Sequence, residues 1–210
     1  MKGFLRSIKH KIVRWSKIRK RIGLKNKKFT ILANNCGGGY VYQYYGIEYN
    51  TPTVGLLFDT EDFLKICKNP RKYLIKEPEI IEIEECLHAG PLSQLDKWGT
   101  YPVGRIDDVE IYFMHYPTQE EALSKWIRRS KRVNYDNMVL MLLENETCSK
   151  EIIREFCELD FPNKVCLTYN KYDIPGTIYS QEVHDLEDHP WRPEIVRSIV
   201  DWKELLNNLI

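Results

Sequence analysis

The run Phe29-Thr-Ile-Leu-Ala-Asn-Asn-Cys-Gly-Gly-Gly-Tyr-Val-Tyr-Gln-Tyr-Tyr-Gly46 decides how the chain is read. Residues 29–33 suit a short buried strand; two asparagines, a cysteine and three glycines then break the run, and residues 40–45 suit a helix closed by Gly46. With a helix starting at the glycines, Cys36 sits where unpaired backbone N–H groups and the positive end of the helix dipole favour thiolate over thiol. Such a cysteine is a candidate nucleophile. The competing role is that of a small buried hydrophobe, the usual one for a free cysteine.

Outward from this stretch the alternation continues. Residues 53–58, introduced by Pro52, read as a second strand. Asp59, Thr60 and Asp62 offer capping oxygens for a helix that turns Phe63, Leu64, Ile66 and Cys67 inward until Asn69-Pro70 interrupts it. Residues 80–84 alternate apolar and acidic side chains like a half-exposed edge strand, and 90–99 read as a loop. Residues 101–105 and 109–116 suit a hairpin turning at Asp107-Asp108, with Ile111, Phe113 and His115 on one face. Thr118 and Glu121 form a capping box for a helix through Trp126 to Arg132. Met138–Leu143 is a continuous apolar strand, 149–159 a helix, Lys164–Thr168 another strand and 193–209 one closing amphipathic helix. This order specifies an α/β layered domain with a largely parallel sheet, the hairpin being its antiparallel portion.

The 210 residues suffice for a single domain, residues 25–210, behind a basic appendage, residues 1–24. A net charge of +1 conceals an asymmetry: twelve of the 31 Lys and Arg lie in residues 1–28, which hold no acid, so the other 19 face all 30 Asp and Glu. In the appendage Phe4, Ile8, Ile12, Trp15, Ile18 and Ile22 recur at helical steps among cations, without the unbroken apolar run of a signal peptide or membrane span. Residues 1–22 can lie on an anionic membrane surface, pack on the domain or a partner, or neutralise phosphates. Nucleic acid is the least favoured partner, because the apolar face exceeds what phosphate binding needs. The six cysteines show no CxxC pair, which argues against structural zinc and a disulfide framework and for a cytoplasmic chain, peripheral on the inner face of the membrane. No cofactor or metal is expected, the acidic segment around His184 and His189 being too irregular for a ligand set.

Ligands of open α/β sheets collect beyond the carboxyl ends of the strands, where Cys36 falls. Asn34, Asn35 and the backbone of Gly37, Gly38 and Gly39 are candidate substrate contacts, since glycines permit close approach and offer N–H groups to an oxyanion or a phosphate. Either Cys36 attacks an acyl carbon, or the loop cradles a phosphate and the thiol is incidental. A P-loop and a dinucleotide fingerprint are both missing. A thiol nucleophile needs a base, for which His115 at a strand end is the candidate, oriented by Asp108, Asp136 or Asn137. Asp107-Asp108 also suits the acid pair of a sugar-nucleotide transferase, although a turn is the commoner role. In the cation-rich run 126–137, Arg129 and Arg132 are candidate contacts for a substrate phosphate or carboxylate, with Asn137 at its end.

Asn34-Asn-Cys36 with Gly38-Gly39, Tyr49-Asn-Thr-Pro-Thr-Val-Gly55, Tyr101-Pro-Val-Gly104, Asp108-Val-Glu-Ile-Tyr-Phe-Met-His-Tyr116 and the run 126–137 occur in one order that resembles a bacterial family. It is the domain-of-unknown-function family numbered nineteen-nineteen, whose members are commonly labelled exopolysaccharide or capsule biosynthesis proteins. The resemblance spans about residues 24–205. It implies a three-layer α/β/α sandwich with a mixed sheet and a setting among enzymes that build surface polysaccharides, and it supplies no mechanism. The combined expectation is a transferase moving an acyl or other small group onto a glycan or lipid-linked saccharide, with Cys36 as nucleophile or substrate-positioning thiol and His115 as base. Two alternatives stand beside it: a sugar-nucleotide or glycosyl transferase that makes no bond to Cys36, and a non-catalytic scaffold of the polysaccharide machinery.

Overall fold

In the computed structural model, which describes residues 16–93, 98–188 and 190–209, the apolar run ahead of Cys36 is strand β1 (Thr30–Ala33), buried along its length. The chain turns at Asn34-Asn35 and enters helix α1 (Gly37–Tyr45), which takes in the three glycines as well as residues 40–45 and ends on Gly46 at φ +61°. The expected strand at 53–58 does not form. The Thr53 hydroxyl accepts from Ala33 N–H, and Gly55 at φ +79° turns the chain. Only Leu57 then pairs, in a single antiparallel bridge to Tyr112, while Phe58 N–H donates to Asn34 O.

Asp59 caps α2 (Thr60–Lys68) by accepting from Glu61 N–H, and Asn69-Pro70 ends it and starts α3 (Pro70–Leu74). Strand β2 (Glu79–Ile81) is shorter than expected because the chain coils into a 3-10 turn, Ile83–Glu85; the short helix α4 (Ala89–Leu92) occupies part of the segment read as loop. The hairpin forms from β3 (Val103–Ile106) and β4 (Val109–Tyr112), with Asp107 at φ +52° in its turn; its second strand stops at Tyr112, so Phe113 and His115 lie beyond it and not on its expected face. Helix α5 (Gln119–Ser130) is capped by the Thr118 hydroxyl, which accepts from Glu121 N–H. Then follow β5 (Met138–Leu143), α6 (Lys150–Glu158), β6 (Lys164–Thr168), the unforeseen β7 (Thr177–Tyr179) and α7 (Gln181–His184). The closing helix is two helices, α8 (Pro193–Ser198) and α9 (Trp202–Asn207), because Asp201 caps the second by accepting from Glu204 N–H.

The fold is mixed α/β, with strands in two sheets. The principal sheet is all parallel in the order β1-β5-β6-β7, and β2-β3-β4 form a separate antiparallel sheet instead of extending it. On β5, Leu140 and Leu142 pack with Leu32, Phe63 and Phe156 on one face of the parallel sheet. Val139, Met141 and Leu143 pack on the other with Tyr42, Val196 and Trp202. Helices thus cover both faces, which is why β5 is apolar without alternation. Of the basic appendage, Phe4, Ile8, Ile12 and Trp15 lie outside the described residues. Residues 16–20 are helical, Ile18 and Ile22 are 44% and 69% exposed, and Arg21 donates to the backbone oxygens of Tyr45 and Gly46 at the end of α1.

Candidate functional site

Asn34 is buried at the carboxyl end of β1. Its Nδ2 donates to Leu143 O and its Oδ1 accepts from Leu143 N–H, both at 2.9 Å, so the side chain continues the ladder between β1 and β5. All its polar groups facing β5 are used, and it lines neither cavity described below. It is a structural residue, not the expected substrate contact. Asn35 Oδ1 accepts from Gly37 N–H at 2.9 Å and holds the first turn of α1, which leaves Cys36 as the helix cap with no side-chain cap of its own.

The glycines serve packing more than ligand approach. A Cβ on Gly37 would stand 2.6 Å from Leu143 Cδ2, on Gly38 3.1 Å from Ala33 Cβ, and on Gly39 3.3 Å from Val54 Cγ1. The helix therefore lies close against β1, β5 and Val54, and a side chain at these positions would require its neighbours to shift. Two of the N–H groups expected to receive an oxyanion are already taken, Gly37 by Asn35 and Gly39 by Cys36 O.

Two adjoining cavities open at this edge of the sheet. One, of about 320 Å³, is lined by Cys36, Tyr40, His115, Glu144, Tyr169 and Trp191 among others. The other, of about 410 Å³, is lined by Cys36, Tyr40, His115, Tyr49, Lys125 and Arg129 among others. Cys36, Tyr40 and His115 belong to both and so stand at their junction. Asn35 and Gly37 line the first, Gly39 the second. The carboxyl ends of β1, β5 and β6 supply the first cavity through Cys36, Glu144 and Tyr169, as expected of a parallel sheet.

Cys36 is half-buried, and burial pushes its thiol up to about 11, opposed by a hydrogen bond with the Gly55 backbone. At neutral pH it is a thiol, contrary to the thiolate favoured by helix-end arguments alone, because loss of solvation outweighs the dipole here. His115 is exposed. It lies three residues past the end of β4, fixed by its N–H donating to Gly55 O at 3.2 Å. Burial also raises Tyr40, with the nearby Cys36 and Glu194 adding to the effect, so its phenol keeps its proton.

Asp108 does not join them. It sits in the turn at the far end of the hairpin from His115, where its Oδ1 accepts from Tyr73 OH at 3.0 Å and its carboxylate faces Lys65 and Lys72. Arg132 is tied to Glu48 and lines neither cavity. Asn137 precedes β5, at the opposite end of the sheet; its Oδ1 accepts from Asn26 Nδ2 and its backbone oxygen from Thr30 N–H. Arg129 alone of the expected cations faces the site. It is buried, and its Nη1 donates to Val54 O and to Tyr116 OH.

Glu144 escaped sequence reading, although a polar residue just beyond the carboxyl end of an apolar strand, the position that drew attention to Cys36, was there to be read. It is buried and accepts from Tyr169 N–H, Asn170 N–H, Asn170 Nδ2 and Tyr172 OH. Four donors saturate a carboxylate, so Glu144 shapes the wall by holding the loop after β6. Its backbone oxygen accepts from Trp191 Nε1 at 2.8 Å, which sets that indole at the rim. Glu146 and Asp188 also line this cavity, giving it an acidic, aromatic character, whereas the second carries Lys125 and Arg129. Among the described residues no three of His, Cys, Asp and Glu gather as metal ligands.

The family whose description reads "Domain of unknown function (DUF1919)" matches residues 8–199. The chain belongs to this family. A relative from Haemophilus influenzae, described as an uncharacterized protein, is 31% identical over 156 residues, covering 74% of this chain and 69% of that one. The match takes in both cavities and all the candidate residues, and the family's description assigns them no chemistry.

Proposed function

We propose that the chain is a group transferase of surface-polysaccharide assembly, with Cys36 and His115 at the reacting centre. The observation that carries this reading is that both line both cavities, so a donor in one and an acceptor in the other meet at their side chains. The acidic, aromatic cavity suits a saccharide, whose hydroxyls donate to carboxylates and whose faces stack on Trp191 and Tyr169. The cationic cavity suits an anionic donor.

Because Cys36 is a neutral thiol, attack on a donor's acyl carbon requires that its proton pass to His115 as the S–C bond forms. The imidazolium then protonates the leaving group. A saccharide hydroxyl next gives its proton to His115 while its oxygen takes the acyl group from sulfur; the sulfur leaves as thiolate and takes that proton back from the imidazolium, which restores the thiol and the neutral imidazole. The raised thiol also favours a second reading, in which His115 activates the acceptor hydroxyl directly and Cys36 forms no bond. Cys36→Ser and Cys36→Ala variants separate the two. In a deletion strain the covalent route requires that neither restores polysaccharide at normal protein levels, whereas restoration by both leaves only the direct route. Loss of function in His115→Ala is expected on either; its full activity would remove the transferase reading. The basic appendage, in the same proposal, brings the chain to an anionic membrane surface where lipid-linked saccharides reside.

A further inference from the structure

We propose that the cavity around Arg129 is a binding subsite for a phosphate ester or diphosphate. This deepens the proposed function by naming the anionic part of the donor, and it rests on that reading only in calling the bound molecule a donor.

Arg129 is 7% exposed, yet among the described residues no carboxylate pairs with it. Its Nη1 carries both of its hydrogen bonds to the protein, to Val54 O at 3.1 Å and to the Tyr116 hydroxyl; its buried Nε has no partner. The rings of Tyr49 and Tyr116 stand 5.0 and 6.0 Å from its Cζ and hold the guanidinium in place. A cation withdrawn from water and given only neutral acceptors is unfavourable by itself, and an anion entering the cavity supplies the missing charge.

Lys125 lies four residues earlier on α5 and lines the same cavity, so one helix face presents two cations. Glu121 lines the cavity too and forms an i,i+4 ion pair with Lys125 at 3.8 Å; both side chains are at least partly exposed, so the pair is weak and an anion in the cavity can compete for the ammonium. Gln43 also lines the cavity, and its Nε2 donates to Tyr49 OH at 3.1 Å. Two cations, one of them the planar guanidinium fork of Arg129, match the charge and geometry of phosphate better than those of a single carboxylate. Cys36 and His115 border the cavity, which puts a bound phosphoryl group beside the reacting centre.

The test titrates pyrophosphate into the full chain at constant ionic strength, with acetate as control. It reads thermal stability and protection of Cys36 from iodoacetamide at about pH 10, where part of the thiol is ionised. Saturable stabilisation and protection by pyrophosphate, much weaker with acetate, are expected. Arg129→Gln should weaken binding roughly a hundredfold and Lys125→Gln roughly tenfold, the loss of charge-assisted hydrogen bonds. Lys125→Gln changes a partly exposed side chain and keeps the test decisive if Arg129→Gln does not fold. No saturable effect up to about 10 mM, an equal effect of acetate, or unchanged affinity in Lys125→Gln overturns the subsite. Cys36→Ser should still bind pyrophosphate. If it does so while restoring polysaccharide, the covalent route fails and the phosphate subsite stands.

Discussion

At Cys36 two local effects oppose each other. The residue caps a helix whose dipole favours a thiolate, and it is withdrawn from water, which favours the thiol; burial prevails and lifts it to about 11. Alkylation of the free protein by iodoacetamide should therefore be slow at pH 8 and climb toward about pH 11. A midpoint below about 8.5 would show that the dipole wins instead. Asn34 presents the opposite case, a polar side chain wholly spent on structure. Asn34→Ala leaves the buried N–H and C=O of Leu143 unpaired and should destabilise the chain by about 2–4 kcal/mol, read as a lower urea midpoint at unchanged slope. Asn34→Asp should cost at least as much, since a carboxylate oxygen would then face Leu143 O.

At the scale of elements, the segment between α1 and α2 matters most, because it forms no strand and yet helps to place His115, Tyr116 and Arg129 through Val54 and Gly55. Gly55 at φ +79° receives His115 N–H on its carbonyl, and a Cβ there would meet the Tyr116 ring at 3.2 Å and His115 Cβ at 3.4 Å. Gly55→Ala should lose about 1–2 kcal/mol of stability from backbone strain and also displace Tyr116, the partner of Arg129. A thermal shift accompanied by weakened pyrophosphate protection of Cys36 would show both effects; unchanged melting would refute the strain. The same segment marks the limit of what was legible in the sequence. The long apolar β5, the strand-to-helix step at Cys36 and the Thr118 cap were readable because local periodicity and capping chemistry determine them. The strand expected at 53–58 failed because side-chain hydroxyls and a positive φ, not ladder bonds, satisfy that edge of β1. Of the residues singled out by type and position, His115 and Arg129 line the cavities, whereas Asp108, Arg132 and Asn137 lie away from them because only the tertiary fold decides which end of a strand, or which partner, a side chain meets. Glu144, Tyr169 and Trp191 needed the parallel order of β1, β5 and β6 to be known together.

At the scale of the whole molecule, ionisation and charge distribution both have measurable consequences. Burial raises Cys36, Cys86 and Cys148 to about 11 from an ordinary value of 9.0, so each holds its proton more tightly folded than unfolded. Their contribution to stability is complete below about pH 9 and is lost as pH rises toward 11, so the urea midpoint should be flat from pH 7 to 8.5 and fall above it. A midpoint that rises through this interval would reverse the sign. The second consequence follows from twelve cations without an acid in residues 1–28 beside a remainder rich in acid. Arg21 is engaged with the end of α1 and Lys20 lies over the Tyr44 ring at 4.3 Å, so part of the basic segment is committed to the domain. In the proposed membrane contact each cation of this segment near an anionic surface contributes about 1 kcal/mol. Among the described residues no helix is long and apolar enough to cross a membrane. Flotation with vesicles containing anionic lipid should carry the full chain upward, fail with neutral vesicles and weaken as salt is raised from about 0.1 to 0.5 M. Removing residues 1–22 should abolish it. Equal flotation of the shortened chain would assign the segment to packing on the domain instead.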